Sequence, residues 1–293
     1  MDYQETSLDE FESFDGNKFP VHIWEPESPN IVLIGIHGGL AHGGDFVTIG
    51  THFMNKGVVS ISYTLRGHLQ KKTHIKKFDD FVDDALSFVN WVKEKYPDLP
   101  IVIFGHSVGT LILNKLVIEK IQTDDRIKGY IFSSPYFENA LKAPKIALML
   151  APVLAALLPK LKAPAEYMTD YTTRDQDIVK RHKEDETKNI RGTEASMRFA
   201  NELLKMFKWI EKNISRFPSP CLYLISGDDK IADSKITVER IKLINEDLVE
   251  SHVFTDSYHE GYNDLDRETF FKHMEQWMRK TLDLDFKEAP STA

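Results

Sequence analysis

The sequence predicts an α/β fold in which a mostly parallel sheet of eight strands is flanked by helices. Short apolar runs rich in β-branched residues recur along the chain, for example at 31–38, 58–63 and 101–106. They lack the alternating polar side of a half-exposed strand, so they indicate strands buried on both faces, as in a parallel sheet. Segments with helical spacing of apolar residues lie between them, which gives the alternating rhythm of this class.

The predicted elements follow one another in a regular order. Two strands are expected first, at 3–14 and 18–24, joined by the turn signal Asp-Gly-Asn at 15–17. Further strands are expected at 31–38, 58–63, 101–106, 128–133, 221–227 and 252–255. Helices are expected at 78–95, 107–121, 234–244 and 267–282.

The alternation stops after Pro135 for about eighty residues, which are helical in composition and contain no convincing strand. We therefore expect an α/β core formed by residues 1–135 and 216–293. The segment 136–215, called the insertion below, is expected to form a helical cap placed after the sixth strand.

Composition excludes several classes of function. A net charge of -8 argues against a nucleic-acid partner, because such binding depends on Lys and Arg contacts to phosphates. The single cysteine, Cys221, excludes an internal disulfide and a cysteine-based zinc cluster. No metal or other cofactor is expected. The acidic N-terminus lacks the features of a signal peptide, so a cytoplasmic location is expected.

A nucleophile motif lies at the junction between a predicted strand and a predicted helix. Gly105-His106-Ser107-Val108-Gly109 matches G-x-S-x-G where the strand at 101–106 ends. At such a turn the serine adopts a strained conformation, and the flanking glycines allow close approach of neighbouring chain. Ser107 is the candidate nucleophile. As an ordinary alcohol it needs a base, and an acid that orients the base.

These two partners are expected later in the chain, since α/β-hydrolases carry them in the order acid, then histidine, on loops that follow strands. Of the 11 histidines, His259 alone lies between the last predicted strand and the last helix, so it is the candidate base. Asp228, Asp229 and Asp233 cluster in the loop after the strand at 221–227. Asp229 is the preferred acid and Asp228 the alternative.

The oxyanion hole is expected in the loop His37-Gly38-Gly39-Leu40, which follows the strand at 31–38. This fold supplies one backbone N–H from that loop and a second from the residue after the nucleophile. The expected donors are Gly39 and Val108. A glycine pair can also serve a simple turn, but its position relative to Ser107 favours the functional interpretation.

Over roughly residues 20–280 the chain resembles the monoglyceride lipases and lysophospholipases of the α/β-hydrolase superfamily, which are sometimes grouped with serine aminopeptidases. The resemblance depends on His37-Gly38-Gly39 with His42, Gly105 to Gly109, Ser133-Ser134-Pro135, Asp229 to Asp233-Ser234-Lys235, and Tyr258-His259. It implies that Asp229 is the acid, and that the chain is a monoacylglycerol lipase or lysophospholipase acting on a small lipid or ester. The family's Asp-x-Arg-Gly-His-Gly stretch appears as Thr64-Leu65-Arg66-Gly67-His68-Leu69, without its first Asp and last Gly.

Other functions use this fold, and two alternatives stay open. The first is a general carboxylesterase, thioesterase or peptidase that acts on small acyl substrates. The second is a non-catalytic ligand-binding module, although such modules commonly lose a member of the triad. A metal site built from His37, His42 and nearby acids is not expected, because no spacing such as H-E-x-x-H occurs.

The apolar run 146–158 predicts a lipid-binding surface on the cap. It contains no charged residue and is shorter than the ~20 residues that a spanning helix needs. Pro152 predicts a break into two short helices. Leu150 and Leu154 are expected to contact the acyl chain, and the cap to touch membranes peripherally, unless the run only packs for stability. Lysines flank the run, as in an interfacial segment: Lys142, Lys145, Lys160 and Lys162.

Overall fold

A computed structural model describes residues 3–121, 124–141, 144–163 and 168–282. The strands are β1 (Ser7–Glu12), β2 (Lys18–Trp24), β3 (Ile31–Ile36), β4 (Val58–Tyr63), β5 (Lys72–Thr73), β6 (Ile101–His106), β7 (Ile127–Ser133), β8 (Lys162–Ala163), β9 (Glu194–Ser196), β10 (Cys221–Ser226) and β11 (Val249–Phe254). The helices are α1 (Val47–Met54), α2 (Asp79–Lys95), α3 (Val108–Glu119), α4 (Lys145–Leu157), α5 (Gln176–Thr187), α6 (Met197–Asn213), α7 (Ser234–Ile241) and α8 (Arg267–Leu282).

The main sheet has eight strands in the order β1-β2-β4-β3-β6-β7-β10-β11. Only β2 runs antiparallel to its neighbours, and the remaining pairs in the sheet are parallel. The predicted α/β-hydrolase sheet is thereby confirmed. Because parallel strands end at the same edge, the loops after β3, β6, β10 and β11 gather there.

Both faces of the sheet are covered, which explains the uninterrupted apolar strands. α1 and α8 bury one face through residues such as Phe53, Phe271 and Trp277. α2 and α3 bury the other face, with Phe88 and Leu111 in its core. Every residue of β3, β4, β6 and β10 is accordingly buried.

The first two strands form the predicted hairpin. β1 and β2 pair in antiparallel register from Ser7 opposite Ile23 to Glu12 opposite Lys18. Gly16 has a positive φ of 77°, which this turn requires and which glycine adopts without a Cβ clash. The first strand is shorter than the predicted 3–14, because only residues 7–12 find ladder partners.

The boundaries of some other elements also differ from the prediction, most clearly in β11 and α7. β11 begins at Val249 rather than His252, since its ladder with β10 extends over six residue pairs. It is an edge strand with alternating exposure, so its apolar signal is weak. α7 ends at Ile241 and not at 244.

The insertion contains short strands that the sequence analysis did not predict. β8 and β9 pair antiparallel, and β9 also pairs in parallel with β5, which lies outside the insertion. These strands are two or three residues long. Too few residues are involved for period-two alternation to appear, so no sequence pattern marks them.

The helix α4 is continuous, so the predicted break at Pro152 is wrong. Thirteen residues from Lys145 to Leu157 form one helix with Pro152 inside it. Pro152 removes the hydrogen bond to the carbonyl of Leu148, four residues earlier. Both residues are exposed, so that carbonyl lies on the solvent side. Of the flanking lysines, Lys142 lies outside the described residues.

No helix within the described ranges combines the length and apolarity needed to cross a membrane.

Candidate active site

Ser107 occupies the turn between β6 and α3 in a conformation that L-residues rarely adopt. Its φ is 52° and its ψ is -118°. The Ser107 amide donates to the carbonyl of Ser133 at the end of β7, at 3.0 Å. A Cβ added to Gly109 would lie 2.2 Å from the carbonyl oxygen of Ile36, so only glycine lets α3 begin this close to β3. Contacts with β3 and β7, the two strands that flank β6, therefore fix the position of this turn.

His259 and Asp229 form a short hydrogen bond. Nδ1 of His259 lies 2.7 Å from Oδ2 of Asp229, and both side chains are buried. The other carboxylate oxygen of Asp229 accepts the amide hydrogens of Ile231 and Ala232 at 2.8 and 2.9 Å. This leaves Asp229 fixed with one oxygen facing the imidazole.

Asp228, the alternative acid, points elsewhere. Its side chain is 45% exposed and pairs with Lys230. The structure therefore brings Asp229, and not Asp228, to the histidine.

The ring of His106 packs against the ring of the candidate base. Its ring centroid is 4.8 Å from that of His259, and it directly precedes Ser107 in the chain. Among the described residues Ser107 Oγ and the His259 ring share no hydrogen bond. Burial lowers the pKa of His106 to about 3, so this ring is neutral at physiological pH.

The two expected oxyanion donors are neighbours. A Cβ added to Gly39 would lie 3.0 Å from Cγ2 of Val108, and one added to Gly38 would lie 3.1 Å from Cβ of Ser107. Val108 is the first residue of α3, so its N–H has no partner within the helix. Gly38, Gly39 and Val108 thus lie close together beside Ser107.

Two buried histidines hold the loop that carries Gly39. Nε2 of His37 accepts the amide hydrogen of Leu65 at 2.9 Å, and its Nδ1 donates to the carbonyl of Gly38 at 2.7 Å. Nε2 of His68 accepts the amide hydrogen of Leu40 at 3.2 Å. Burial lowers the pKa of His68 to about 4 and also lowers that of His37. Both rings are thus neutral and can accept.

The hydrogen bond between His68 and Leu40 gives a role to residues 64–69. In this stretch the chain departs from the family's Asp-x-Arg-Gly-His-Gly pattern. The rings of His37 and His68 pack edge to face, 5.0 Å apart. Gly67, with φ 72°, lets the chain turn so that His68 reaches the loop. Both histidines lie in motifs of the sequence, but no pattern predicted that they hold this loop.

Residues of the insertion form the apolar surroundings of the site. Phe199, on α6, lies 3.4 Å from the Cβ position of Gly39. Leu154 packs against the same apolar cluster as Phe199 and Val108, whereas Leu150 is 49% exposed on α4. The acyl-binding role expected of Leu150 and Leu154 stays a prediction.

A buried cluster of charged residues lies behind His259. Arg191, on the insertion, donates to Asp45 at 2.5 Å and to Glu260, the residue after His259, at 3.0 Å. Burial opposes ionisation of both carboxyl groups, but Arg191 and neighbouring imidazoles hold their pKa values below the usual range. No pattern in the sequence marked Arg191, since an isolated arginine in a polar stretch is ordinarily solvated.

The side chains of His42, Asp45 and Asp185 are the group nearest to a metal site in the described part of the chain. The geometry does not favour a metal. Nδ1 of His42 accepts the amide hydrogen of Gly44 at 3.1 Å, so Nε2 carries the proton. That nitrogen lies 3.4 Å from Oδ2 of Asp185, to which it offers a hydrogen rather than a lone pair; Oδ1 of Asp45, at 3.5 Å, has no hydrogen-bond partner among the described residues.

Comparisons with known proteins show the family and the fold of this chain. The family model described as "Serine aminopeptidase, S33" matches residues 27–266. Phospholipase YtpA of Bacillus subtilis (strain 168) is 26% identical over 253 residues, covering 85% of this chain and 95% of the relative. Monoglyceride lipase of Homo sapiens is 23% identical, covering 90% and 88% of the two chains.

Solved structures share the fold. The crystal structure of a soluble variant of monoglyceride lipase from Saccharomyces cerevisiae, in complex with a substrate analog, superposes with a TM-score of 0.81. The sequences are 22% identical, and the match covers 95% of this chain and 96% of that one.

Proposed function

This chain belongs to the serine aminopeptidase S33 family, and on that premise we propose that it cleaves the acyl ester of a monoacylglycerol or lysophospholipid through Ser107, His259 and Asp229. The chain is a serine ester hydrolase of the monoglyceride lipase type. The identity of the catalytic groups and of the lipid substrate is the proposal. It is supported by the geometry of the site and by the names of the relatives.

The proposed reaction begins with proton transfer to His259. Asp229 holds Nδ1–H of the ring, so Nε2 has a free lone pair and takes the proton of Ser107 as its oxygen attacks the ester carbonyl. The N–H groups of Gly39 and Val108 stabilise the oxyanion. His259 then returns the proton to the departing alcohol, and water repeats the sequence to release the acid.

The single observation that carries this proposal is the backbone of Ser107. Ser107 combines φ 52° and ψ -118° with the strand-to-helix turn of a G-x-S-x-G motif, and strained conformations of this kind cluster at functional sites. The absence of a Ser107–His259 hydrogen bond among the described residues is compatible with catalysis. Such contacts are commonly long without substrate and tighten when it binds.

Replacement of the nucleophile tests the proposal. Ser107→Ala is expected to abolish both ester hydrolysis and labelling by a fluorophosphonate probe, with an unchanged circular dichroism spectrum. Ser134→Ala is a matched control, because Ser134 is also buried, also has a positive φ of 42° and bonds to Ser226 instead. Activity above a few per cent in purified Ser107→Ala, or loss of labelling in Ser134→Ala alone, contradicts the assignment.

The outer face of α4 supports the proposal that the insertion acts as a cap that contacts a lipid surface. Its small residues face inward, since Ala151 and Ala155 are 5% and 1% exposed, and the helix packs on α6. Its large apolar side chains face outward, between 49% and 77% exposed: Ile146, Met149, Leu150, Val153 and Leu157. This inverts the usual burial of large apolar groups, and contiguous exposed apolar surface marks an interaction site.

A charged residue on this face tests membrane contact. Leu150→Asp and Met149→Asp are expected to weaken binding to phosphatidylcholine vesicles about tenfold or more, because a buried leucine is worth about 1.5–3 kcal/mol. Hydrolysis of vesicle-borne long-chain monoacylglycerol is expected to fall, while p-nitrophenyl acetate hydrolysis stays unchanged. Vesicle flotation and the two assays measure this.

Leu243→Asp is the control, since Leu243 lies after α7 and not on α4, and is 56% exposed. Equal loss on both substrates together with a lower melting temperature contradicts the lipid-surface proposal. It would mean that the leucines of α4 only hold the fold together.

A further inference from the structure

One short segment of the insertion contacts both loops that carry the proposed catalytic groups. This segment, residues 190–194, runs between α5 and β9. The amide of Gly192 donates to the carbonyl of Leu40 at 2.7 Å, directly after the oxyanion donor Gly39. Leu40 itself has a positive φ of 66°, a strained conformation for leucine that needs such restraint.

The side chain of Arg191, the residue before Gly192, points toward Asp45 and toward Glu260 in the His259 loop. Its side chain is 6% exposed, and its two terminal nitrogens contact different partners. Nη1 donates to Asp45 at 2.5 Å and to Nδ1 of His182 at 3.2 Å, and Nη2 donates to Glu260 at 3.0 Å. A planar guanidinium with donors in a fixed fork determines the relative positions of these groups in a way that an ammonium cannot.

Glu260 adjoins the proposed base and is held mainly by the insertion. Besides Arg191, its carboxylate accepts Nε2–H of His182 at 2.8 Å, and its amide donates to the carbonyl of Thr172 at 2.7 Å. The remaining contacts come from Asn263 in the same loop, whose side-chain amide donates to the carboxylate at 2.7 Å and whose backbone amide donates to the carbonyl at 2.8 Å. The position of the peptide that follows His259 therefore depends on the insertion.

We infer that Arg191 is a positioning residue, which together with the adjacent Gly192 fixes the oxyanion loop and the His259 loop in one frame. The inference rests on the proposed function of Ser107 and His259. Arg191 does not touch the reacting atoms. Through Glu260 it fixes the His259 loop, and through its backbone and Gly192 it fixes the oxyanion loop. The insertion therefore positions the proposed catalytic groups in addition to covering the site.

Such positioning has a large effect on turnover. A displacement of about 1 Å in a catalytic constellation can cost about 10²-fold in rate. Substrate affinity depends instead on the apolar surroundings, which Arg191 does not reach. Loss of its fork is therefore expected to lower kcat while KM stays nearly constant.

The test uses Arg191→Lys, which keeps the charge but loses the fork. Arg240→Lys is the matched control: Arg240 donates to the carbonyls of Phe137 and Phe207 at 2.7 and 3.4 Å, so it also joins the core to the insertion, but away from both loops. Both variants are assayed with p-nitrophenyl acetate well below their melting temperatures. Hydrogen–deuterium exchange is measured over 37–42 and 257–261 in each full-length protein.

For Arg191→Lys we expect kcat to fall by about 10- to 100-fold with KM within about twofold, and amide exchange to become faster in both loops. For Arg240→Lys we expect neither change. An unchanged kcat, unchanged exchange in either loop, or equal effects of the control overturn the inference. The exchange measurement needs no catalysis, whereas Ser107→Ala tests the proposed function, so the two failures are distinguishable.

If Arg191→Lys does not fold, the double variant Arg191→Gln/Glu260→Gln serves in its place, since it removes one charge of each sign from the buried cluster. It is expected to fold and to show the same reduced kcat. Folded protein with the kcat of the original chain overturns the inference equally.

Discussion

At the scale of single residues, the two adjacent aspartates after β10 have different environments. Asp229 lies against His259 and accepts two backbone amides, whereas Asp228 pairs with Lys230 at the surface. The same residue type can therefore orient a base at one position and be merely solvated at the next.

This difference gives a prediction for the acid. Asp229→Asn should lower kcat for p-nitrophenyl acetate by about 10³- to 10⁴-fold, because the amide favours the wrong tautomer of His259. Asp228→Asn, with the same chemical change one residue earlier, should leave kcat within about twofold, as surface ion pairs contribute little. A larger loss in Asp228→Asn would move the acid to that position.

At the scale of elements, the contact between the start of α3 and the end of β3 sets the position of the proposed nucleophile. Gly109 lies in the first turn of α3, and its Cα faces the carbonyl oxygens of Ile36 and His37. A side chain at this position would push α3 away from the sheet. Ser107 and the N–H of Val108 would then move with the helix.

Gly109→Ala is accordingly expected to destabilise the protein by more than about 2 kcal/mol, since the added carbon would lie 2.2 Å from a backbone oxygen. Urea denaturation measures the free energy of unfolding. Gly16→Ala is the comparison: nothing lies within 4 Å of its Cβ position, and only the positive φ is strained. Equal, small losses in both variants would show that α3 can shift without cost.

At the scale of the whole molecule, stability depends on several histidines buried in the neutral form around the site. Burial lowers the pKa of His68 to about 4 and of His106 to about 3, and also lowers that of His37. The unfolded chain binds protons on these groups near pH 6.5. Between about pH 6.5 and pH 4 the unfolded state therefore binds more protons than the folded state, so stability falls as pH falls.

The free energy of unfolding should thus be lower at pH 5 than at pH 7 by about 4 kcal/mol from His68 and His106 alone, with His37 adding to the difference, because each such histidine contributes about 1.4 kcal/mol per pH unit below 6.5. Urea denaturation at the two pH values measures the difference. In His68→Gln, whose amide can accept from Leu40 and donate to Arg66, the difference should shrink. Equal or greater stability at pH 5 in the original chain contradicts this account.

The sequence by itself determined the α/β core, and it named the proposed nucleophile and base, with Asp229 preferred to Asp228 as the proposed acid. Strands such as β6 are apolar on both faces, and G-x-S-x-G follows one of them, so local pattern and position in the fold agree. The positions of the eight strands, apart from their exact ends, follow from this hydrophobic pattern. The break at Pro152 was predicted from a local rule, and α4 does not obey it.

Only the tertiary structure decided what surrounds these groups. Arg191 and Glu260 are 69 residues apart and form an ion pair, and His68 reaches the Leu40 amide from 28 residues away. Neither contact produces a periodic pattern in the sequence, because each depends on a single side chain whose partner is set by the three-dimensional fold. The sequence predicted an apolar surface at 146–158, but only the structure decided which side chains of α4 face outward. Hydrophobic pattern fixes which segments are buried, while the partners of isolated polar groups depend on how the segments are brought together.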